Sequence, residues 1–276
     1  MFAMTTIYQK FVKILFNLHG KQPCFAWKQS YFSGIRIETI MNFVRRSRAG
    51  CASEKDRGEA MTMTLHGYWR SSASYRVRLA ANLKGVAYDQ VSYDLRRGEQ
   101  GTPALRRLAP LGLVPVLEVD GVSLTQSLAI LEWLEETHPY PPLLPVGVME
   151  RAAVRTMAST IACDIHPLNN LRVLQALRRE LGASEQAVQD WIARWIRDGF
   201  AALELMVRNH GRGFCFGDTP TMADCCLVPQ IYNAHRFHVD LTDFPELLAV
   251  DARCGEIDAF ARAAPERQPD ADGAST

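Results

Sequence analysis

The stretch W-R-S-S-A-S-Y-R-V-R-L-A-A-N-L-K-G at residues 69–85 decides how the rest of the chain is read. It joins a short apolar run, Thr64 to Trp69, to an amphipathic helical pattern over Ser74 to Lys84, and the joint carries Ser71, Ser72 and Ser74. Val77, Leu79, Ala80 and Leu83 fall on one helical face, and Arg76, Arg78, Asn82 and Lys84 on the other. Gly85 ends the helix. The first turn of a helix has unpaired N–H groups and a partial positive charge, so an anion, a thiolate included, is stabilised there. A lone serine at a helix start is usually a cap and nothing more. Three hydroxyls beside Arg70 and Arg76 favour an anion site without excluding the simple cap.

The chain's 276 residues give room for one large or two small domains, and 47% hydrophobic residues suffice to fill a core. A net charge of +1 gives no global reason to bind nucleic acid or an anionic membrane. No apolar run reaches the length of a membrane span, so the reading is a soluble, cytoplasmic protein. Seven cysteines, an odd number with no C-x-x-C pair, read as reduced thiols. His235 and His238 stand close on a helical stretch, but no further ligand pattern accompanies them and no metal is expected.

Residues 1–62 differ in kind from the remainder of the chain. Up to residue 52 they carry eight Lys or Arg against the single acid Glu38. A basic, acid-poor leader of this sort is either a transit peptide or the product of a start codon upstream of Met61 or Met63, and it is expected to be largely disordered. From Thr64 the patterns alternate as β-α-β-α-β-β-α. The strands are Thr64 to Trp69, Tyr88 to Tyr93, Val114 to Val119 and Val122 to Leu124, the last two joined by Asp120-Gly121, and a short helix spans Pro103 to Leu108. Gln126 and Ser127 then precede a helix to about His138. This order describes an α/β thioredoxin-like unit over 63–140. Pro115 sits where a central strand needs an N–H donor; a cis Val114–Pro115 bond, or an ordinary trans proline at a strand edge, accounts for it. A proline-rich linker occupies 141–147, and an all-α domain is expected over 148–264, with helices over Val148 to about Arg178, Ser184 to about Asn209 and Thr221 to about Asn233. Thr221 and Asp224 form a capping box at the start of the last of these. Residues 265–276 read as a polar, disordered tail.

With these patterns in place, the chain over roughly 64–270 resembles the glutathione transferase superfamily, and within it the zeta class of maleylacetoacetate isomerases and their maleylpyruvate isomerase relatives. S-S-A-S-Y-R-V-R-L-A at 71–80 is similar to the class signature S-S-C-S-x-R-V-R-I-A. Q-S-L-A-I-L-E-W-L-E-E at 126–136, D-I-H-P-L-N-N-L at 164–171 and T-M-A-D-C-C-L-V-P-Q at 221–230 carry the likeness further. Ala73 stands where the signature often has a cysteine, which on this reading removes a modulating group and leaves glutathione's own thiol as the nucleophile.

The resemblance implies glutathione as cofactor, a small dicarboxylic cis-enol acid as substrate, a homodimer, and no nucleic-acid or membrane partner. It implies catalytic roles for Ser71 and, second, Ser72, and glutathione contacts from Ala73, Gln100, Val114, Pro115, Gln126, Ser127, His166, Asn169 and Asn170. His166 equally reads as a helix-kink residue before Pro167. Arg70, Arg172 and Arg236 are implied as the cations for the substrate's carboxylates, though any one of them also reads as a surface ion pair. The activity implied is conversion of maleylacetoacetate to fumarylacetoacetate. Maleylpyruvate isomerisation, α-haloacid dehalogenation or transfer, and non-catalytic glutathione binding stand as alternatives.

Overall fold

In a computed structural model, residues 61–272 are described; the expectations for residues 1–60 and for the last four residues of the tail lie outside them. The first unit runs β1 (Met63–Gly67), α1 (Ser72–Leu83), β2 (Asp89–Ser92), two single turns of 3-10 helix, α2 (Pro103–Leu108), β3 (Val116–Val119), β4 (Val122–Thr125) and α3 (Ser127–Thr137). The sheet order is β2-β1-β3-β4, with β1 parallel to β2 and antiparallel to β3, which pairs antiparallel with β4. Parallel pairing of β1 with β2 needs a crossover, and α1 supplies it. The helical unit follows: α4 (Val148–Ser159), α5 (Leu171–Arg179), α6 (Glu185–His210), α7 (Met222–Arg236), α8 (Pro245–Gly255) and α9 (Asp258–Ala263). None of the helices among the described residues is long and apolar enough to cross a membrane.

One apolar core runs without a break from Leu65 and Leu79 in the first unit to Phe200, Leu227 and Phe260 in the second. The continuity comes from α1, which lies between α3 on one side and α7 and α9 on the other. Its apolar face packs in the first unit, so its polar face becomes the seam between the units. Arg76, Arg78 and Lys84, which the helical pattern assigned to the face opposite the apolar one, are all buried. Each finds partners there: Arg76 Nη1 donates to Ser127 Oγ (3.2 Å), Arg78 to the carbonyls of Trp69 (2.9 Å) and Ala263 (3.0 Å). Lys84 Nζ donates to Glu135 (2.7 Å) and to the carbonyls of His138 (2.6 Å) and Pro141 (3.0 Å). Glu135 in turn accepts from the backbone N–H of Leu143 (2.9 Å) and Leu144 (3.2 Å), so the Lys84–Glu135 pair clamps the proline-rich segment.

Two stretches differ from the sequence expectation. The single helix read over Val148 to Arg178 is broken: α4 passes into a π-helical turn at Thr160–Ile165 and a 3-10 turn at His166–Asn169 before α5 begins. Pro167 has no N–H to give the α ladder, and the chain passes through a wider turn before it and a tighter one around it. The tail is the second correction. Residues read as disordered from Pro265 onward are placed through Asp272, with a 3-10 turn at Pro265–Arg267 and Gln268 buried. Polar composition suggested solvent, but the polar groups of this segment bond to protein: Gln268 Nε2 donates to the carbonyls of Arg262 (3.0 Å) and Ala264 (2.9 Å), and Asp272 accepts from Arg96.

Candidate active site

Ser71 is the N-cap of α1; its backbone is extended (φ −72°, ψ 116°) and its Oγ accepts from the N–H of Ser74 (3.2 Å). The Ser71 hydroxyl proton remains for another acceptor. Ser74 points the opposite way, fully buried against β1, where a Cβ on Gly67 would come within 3.1 Å of its Oγ. A larger residue at 67 would crowd this close approach of strand and helix.

Two adjoining cavities open where this helix start faces the helical unit. An inner one of about 480 Å³ is lined by Ala73, Arg76, Val114, Pro115, Gln126 and Ser127, and an outer one of about 660 Å³ by Arg70, Ser71, Ser72, Gln100, Asn169 and Arg236. His166, Asn170 and Arg172 line both. The candidate glutathione and substrate residues named from the sequence thus all line one or both of these adjoining cavities. The Val114–Pro115 bond is cis, and strand pairing begins only at Val116, so Val114 stands at the cavity wall ahead of the ladder. Gln126 has φ 70° and ψ 115°, an outlier for a residue with a Cβ, directly before the first turn of α3. Gly112 (φ 62°) completes the wall, where a Cβ would meet the carbonyl of Gln100 at 2.9 Å.

The cleft is strongly cationic. Six arginines line the outer cavity: Arg70, Arg96, Arg106, Arg172, Arg178 and Arg236. Arg96 is paired with Asp94 and Asp272, and Arg178 with Glu185. Arg106 donates to the carbonyls of Gly101 and Pro110. Among the described residues the guanidinium groups of Arg70, Arg172 and Arg236 have neither a carboxylate nor a carbonyl partner. Arg70 lies beside the ring of Trp69 (5.2 Å to its centroid) and Arg236 over that of Phe237 (4.4 Å). Burial, then the repulsion of Arg70, lowers the pKa of Arg236, and an arginine stays charged at neutral pH all the same.

His166 keeps part of its surface open to the cavity, yet crowding around the ring, and then the charges of Arg76 and Arg236, push its pKa down to about 3. It is a neutral imidazole at any physiological pH. Asn169 is buried with its Nδ2 toward the Ile192 carbonyl (3.5 Å), and Asn170 caps α5 by accepting from the Arg172 N–H (3.2 Å).

Arg76, which the sequence places beside the serines of an anion site but not among the glutathione or substrate contacts, proves central to the cleft. It is 1% exposed, lines the inner cavity, and leaves Nε and Nη2 without partners among the described residues. A buried guanidinium so poorly satisfied is an anion receptor in waiting. Helical periodicity put it on the polar face and held no signal that this face is roofed. Asn233, which lines the outer cavity from α7, was not singled out.

A four-stranded thioredoxin-like unit, closed by a helical unit over a serine-bearing helix start, is the architecture of the glutathione transferases. The family descriptions "Glutathione S-transferase, N-terminal domain" and "Glutathione S-transferase, C-terminal domain" match residues 61–136 and 189–253. The chain is 50% identical to a maleylpyruvate isomerase of Ralstonia sp over 210 residues, 75% of this chain and 99% of that protein. It is also 50% identical to a maleylacetoacetate isomerase of Rhizobium meliloti over 204 residues, 74% of this chain and 96% of the other. Among solved structures, it superposes on a holo maleylpyruvate isomerase, a bacterial glutathione transferase of the zeta class, with a TM-score of 0.74 at 48% identity, covering 76% of this chain and 100% of that one. The maleylacetoacetate isomerase of Anaeromyxobacter dehalogenans with bound GSH gives 0.71 at 46% identity, with 78% and 100% covered. The chain belongs to the glutathione S-transferase family, in its zeta class.

Proposed function

We propose that the protein is a glutathione-dependent cis–trans isomerase that converts maleylacetoacetate to fumarylacetoacetate in the degradation of tyrosine- and phenylalanine-type aromatics, acting as a cytoplasmic homodimer. The observation that carries this reading is the set of three arginines, Arg70, Arg172 and Arg236, whose guanidinium groups have neither a carboxylate nor a carbonyl partner among the described residues, around a cavity that also receives the start of α1. A dicarboxylic substrate supplies the missing anions.

Rotation about a carbon–carbon double bond is slow, and a nucleophile removes the obstacle for a moment. The glutathione thiolate adds to the conjugated alkene, the new single bond rotates, and elimination returns the thiolate and the trans acid. A thiol is mostly protonated at neutral pH, so the site must favour the anion; the Ser71 hydroxyl and the N-terminus of α1 act together there, with Ser72 next to them. The γ-glutamyl end of glutathione sits at Gln126, Ser127 and the unsatisfied nitrogens of Arg76, its cysteinyl backbone at Val114, and its glycyl end near Gln100. Neutral His166, with Asn169 and Asn170, borders glutathione on the helical side as a hydrogen-bonding wall and not as a charge.

Maleylpyruvate is the second reading, favoured by the 50% identity to the Ralstonia enzyme over 99% of its length. Against it, Leu171 lines the outer cavity beside Arg172 and leaves one cation fewer there than a double arginine would offer. Comparing kcat/KM for the two acids at saturating glutathione decides: the proposal expects maleylacetoacetate to be preferred, and a tenfold preference for maleylpyruvate overturns that choice while leaving the chemistry in place. Transfer or dehalogenation with no isomerisation of either acid overturns both.

A further inference from the structure

The segment after α9 does more than end the helical unit. Residues 265–272 cross back over the first unit, and their polar groups close on it one after another. Gln90 Nε2 donates to Gln268 Oε1 (3.3 Å), the backbone N–H of Trp69 donates to Asp270 Oδ2 (2.9 Å), and Arg96 donates to both oxygens of Asp272 (2.7 and 3.0 Å). On the helical side the segment is moored by Tyr232, whose hydroxyl donates to Glu266 (2.7 Å), and by the Gln268 amide.

Trp69 is where these ties meet. Its N–H is held by Asp270, and its carbonyl accepts from Arg78, whose Nε reaches the carbonyl of Ala263 just ahead of the segment. Both backbone polar groups of the residue two positions before Ser71 are therefore held from the C-terminal end of the chain, once directly and once through Arg78. The turn they hold is tight, since the Ser71 N–H donates to the Tyr68 carbonyl (3.0 Å). Arg96, tied down by Asp272, lies beside the Tyr68 ring (5.9 Å to its centroid) on the outer cavity wall.

We infer that Asp270 is a positioning residue: by holding the Trp69 N–H it fixes the turn Tyr68–Ser71, and with it the place of the Ser71 hydroxyl and the Arg70 guanidinium at the cavity. The inference rests on reading Ser71 as the thiol's partner. The grip is geometric. The carbonyl oxygen of an asparagine accepts the same N–H that Asp270 Oδ2 accepts at 2.9 Å. An error of about 1 Å in a reacting group costs on the order of a hundredfold in rate, so a turn released by a fraction of that costs about tenfold.

The test compares Asp270→Ala and Asp270→Asn in the full chain. The thiol of bound glutathione is titrated by the ultraviolet absorbance of the thiolate, alongside kcat for the cis-enol acid and the melting temperature. The expected result for Asp270→Ala is a thiol midpoint raised toward that of free glutathione, kcat lower by about tenfold and a melting temperature within a few degrees of wild type; Asp270→Asn restores midpoint and rate. A wild-type midpoint in Asp270→Ala, or an equal loss in Asp270→Asn, overturns the inference. Should Asp270→Ala not fold, the test passes to Asp270→Ser, whose hydroxyl is too short to reach the Trp69 N–H from the same backbone; a raised midpoint supports the inference and a wild-type midpoint overturns it. The titration uses glutathione alone, so wild-type protein that holds the thiolate without turning over the acid contradicts the isomerase reading and not this one.

Discussion

Replacing Arg236 with methionine separates the two halves of the proposed site. The arginine lines the outer cavity but not the inner one, where Gln126, Ser127 and Arg76 stand. Methionine keeps an unbranched stem against the Phe237 ring, over which the guanidinium now lies at 4.4 Å, and removes only the charge and its donors. If Arg236 pairs with a substrate carboxylate, one charge-assisted hydrogen bond is lost, at a cost of about 1.5 to 3 kcal/mol, or roughly ten- to more than hundredfold in kcat/KM. The folded protein gives up nothing comparable, because Arg236 has no carboxylate partner among the described residues and is repelled by Arg70. The melting temperature is therefore expected to hold or rise slightly. Steady-state kinetics at saturating glutathione give the substrate loss, and calorimetry gives the glutathione Kd, expected within about twofold of wild type because residues other than Arg236 hold the tripeptide. A variant that binds glutathione tenfold more weakly while keeping the wild-type KM for the acid refutes this division of the cleft.

Ser71→Ala is expected to lower kcat by about two orders of magnitude, the scale of losing one oriented donor to a developing charge, and Ser72→Ala by less; near-wild-type rates in both would leave the helix terminus as the sole activator. Asp224→Ala strips the acceptor from the N–H groups of Cys215 and Thr221 (2.7 Å each) and from the Thr221 hydroxyl (2.7 Å), all buried. Unfolding in urea should show a loss of about 3 to 5 kcal/mol, and a loss below about 1 would mean the box is idle. His166, with its pKa lowered from 6.5 to about 3, takes up its proton only in the unfolded chain between those values, so its contribution to stability is complete above pH 6.5 and falls away as pH drops toward 3. The kcat/KM profile should accordingly have no limb between pH 5.5 and 8 that disappears in His166→Gln; such a limb would show that the ring titrates. Sedimentation at micromolar concentration should give a homodimer, and a stable monomer would contradict that part of the proposal.

The elements that form the cleft were legible because each has a local signal. Serines ahead of an amphipathic run mark a helix start, and the structure has Ser71 as its N-cap. A proline ahead of an apolar strand left a cis bond or a trans proline at a strand edge open at Val114–Pro115, and the bond is cis; Thr221 with Asp224 form the capping box their spacing suggests. What escaped is set by tertiary packing. The polar face of α1 reads the same whether it meets water or a second unit; only the closure of α7 and α9 over it buries Arg76 and Arg78. The break at Thr160–Asn169 depends on how the chain recovers from Pro167, to which hydrophobic periodicity is blind. The tail was misread for a similar reason: Gln268, Asp270 and Asp272 look like solvent-facing residues until Gln90, Trp69 and Arg96 are brought opposite them.

The central claim is that glutathione acts as a recycled nucleophile in a cationic cleft. It is tested most directly by counting turnovers of maleylacetoacetate against glutathione present in substoichiometric amount, with free thiol assayed before and after. Many molecules of trans acid should form per glutathione, with no net loss of thiol. Consumption of one glutathione per molecule of acid, or product forming at the same rate without glutathione, would contradict it.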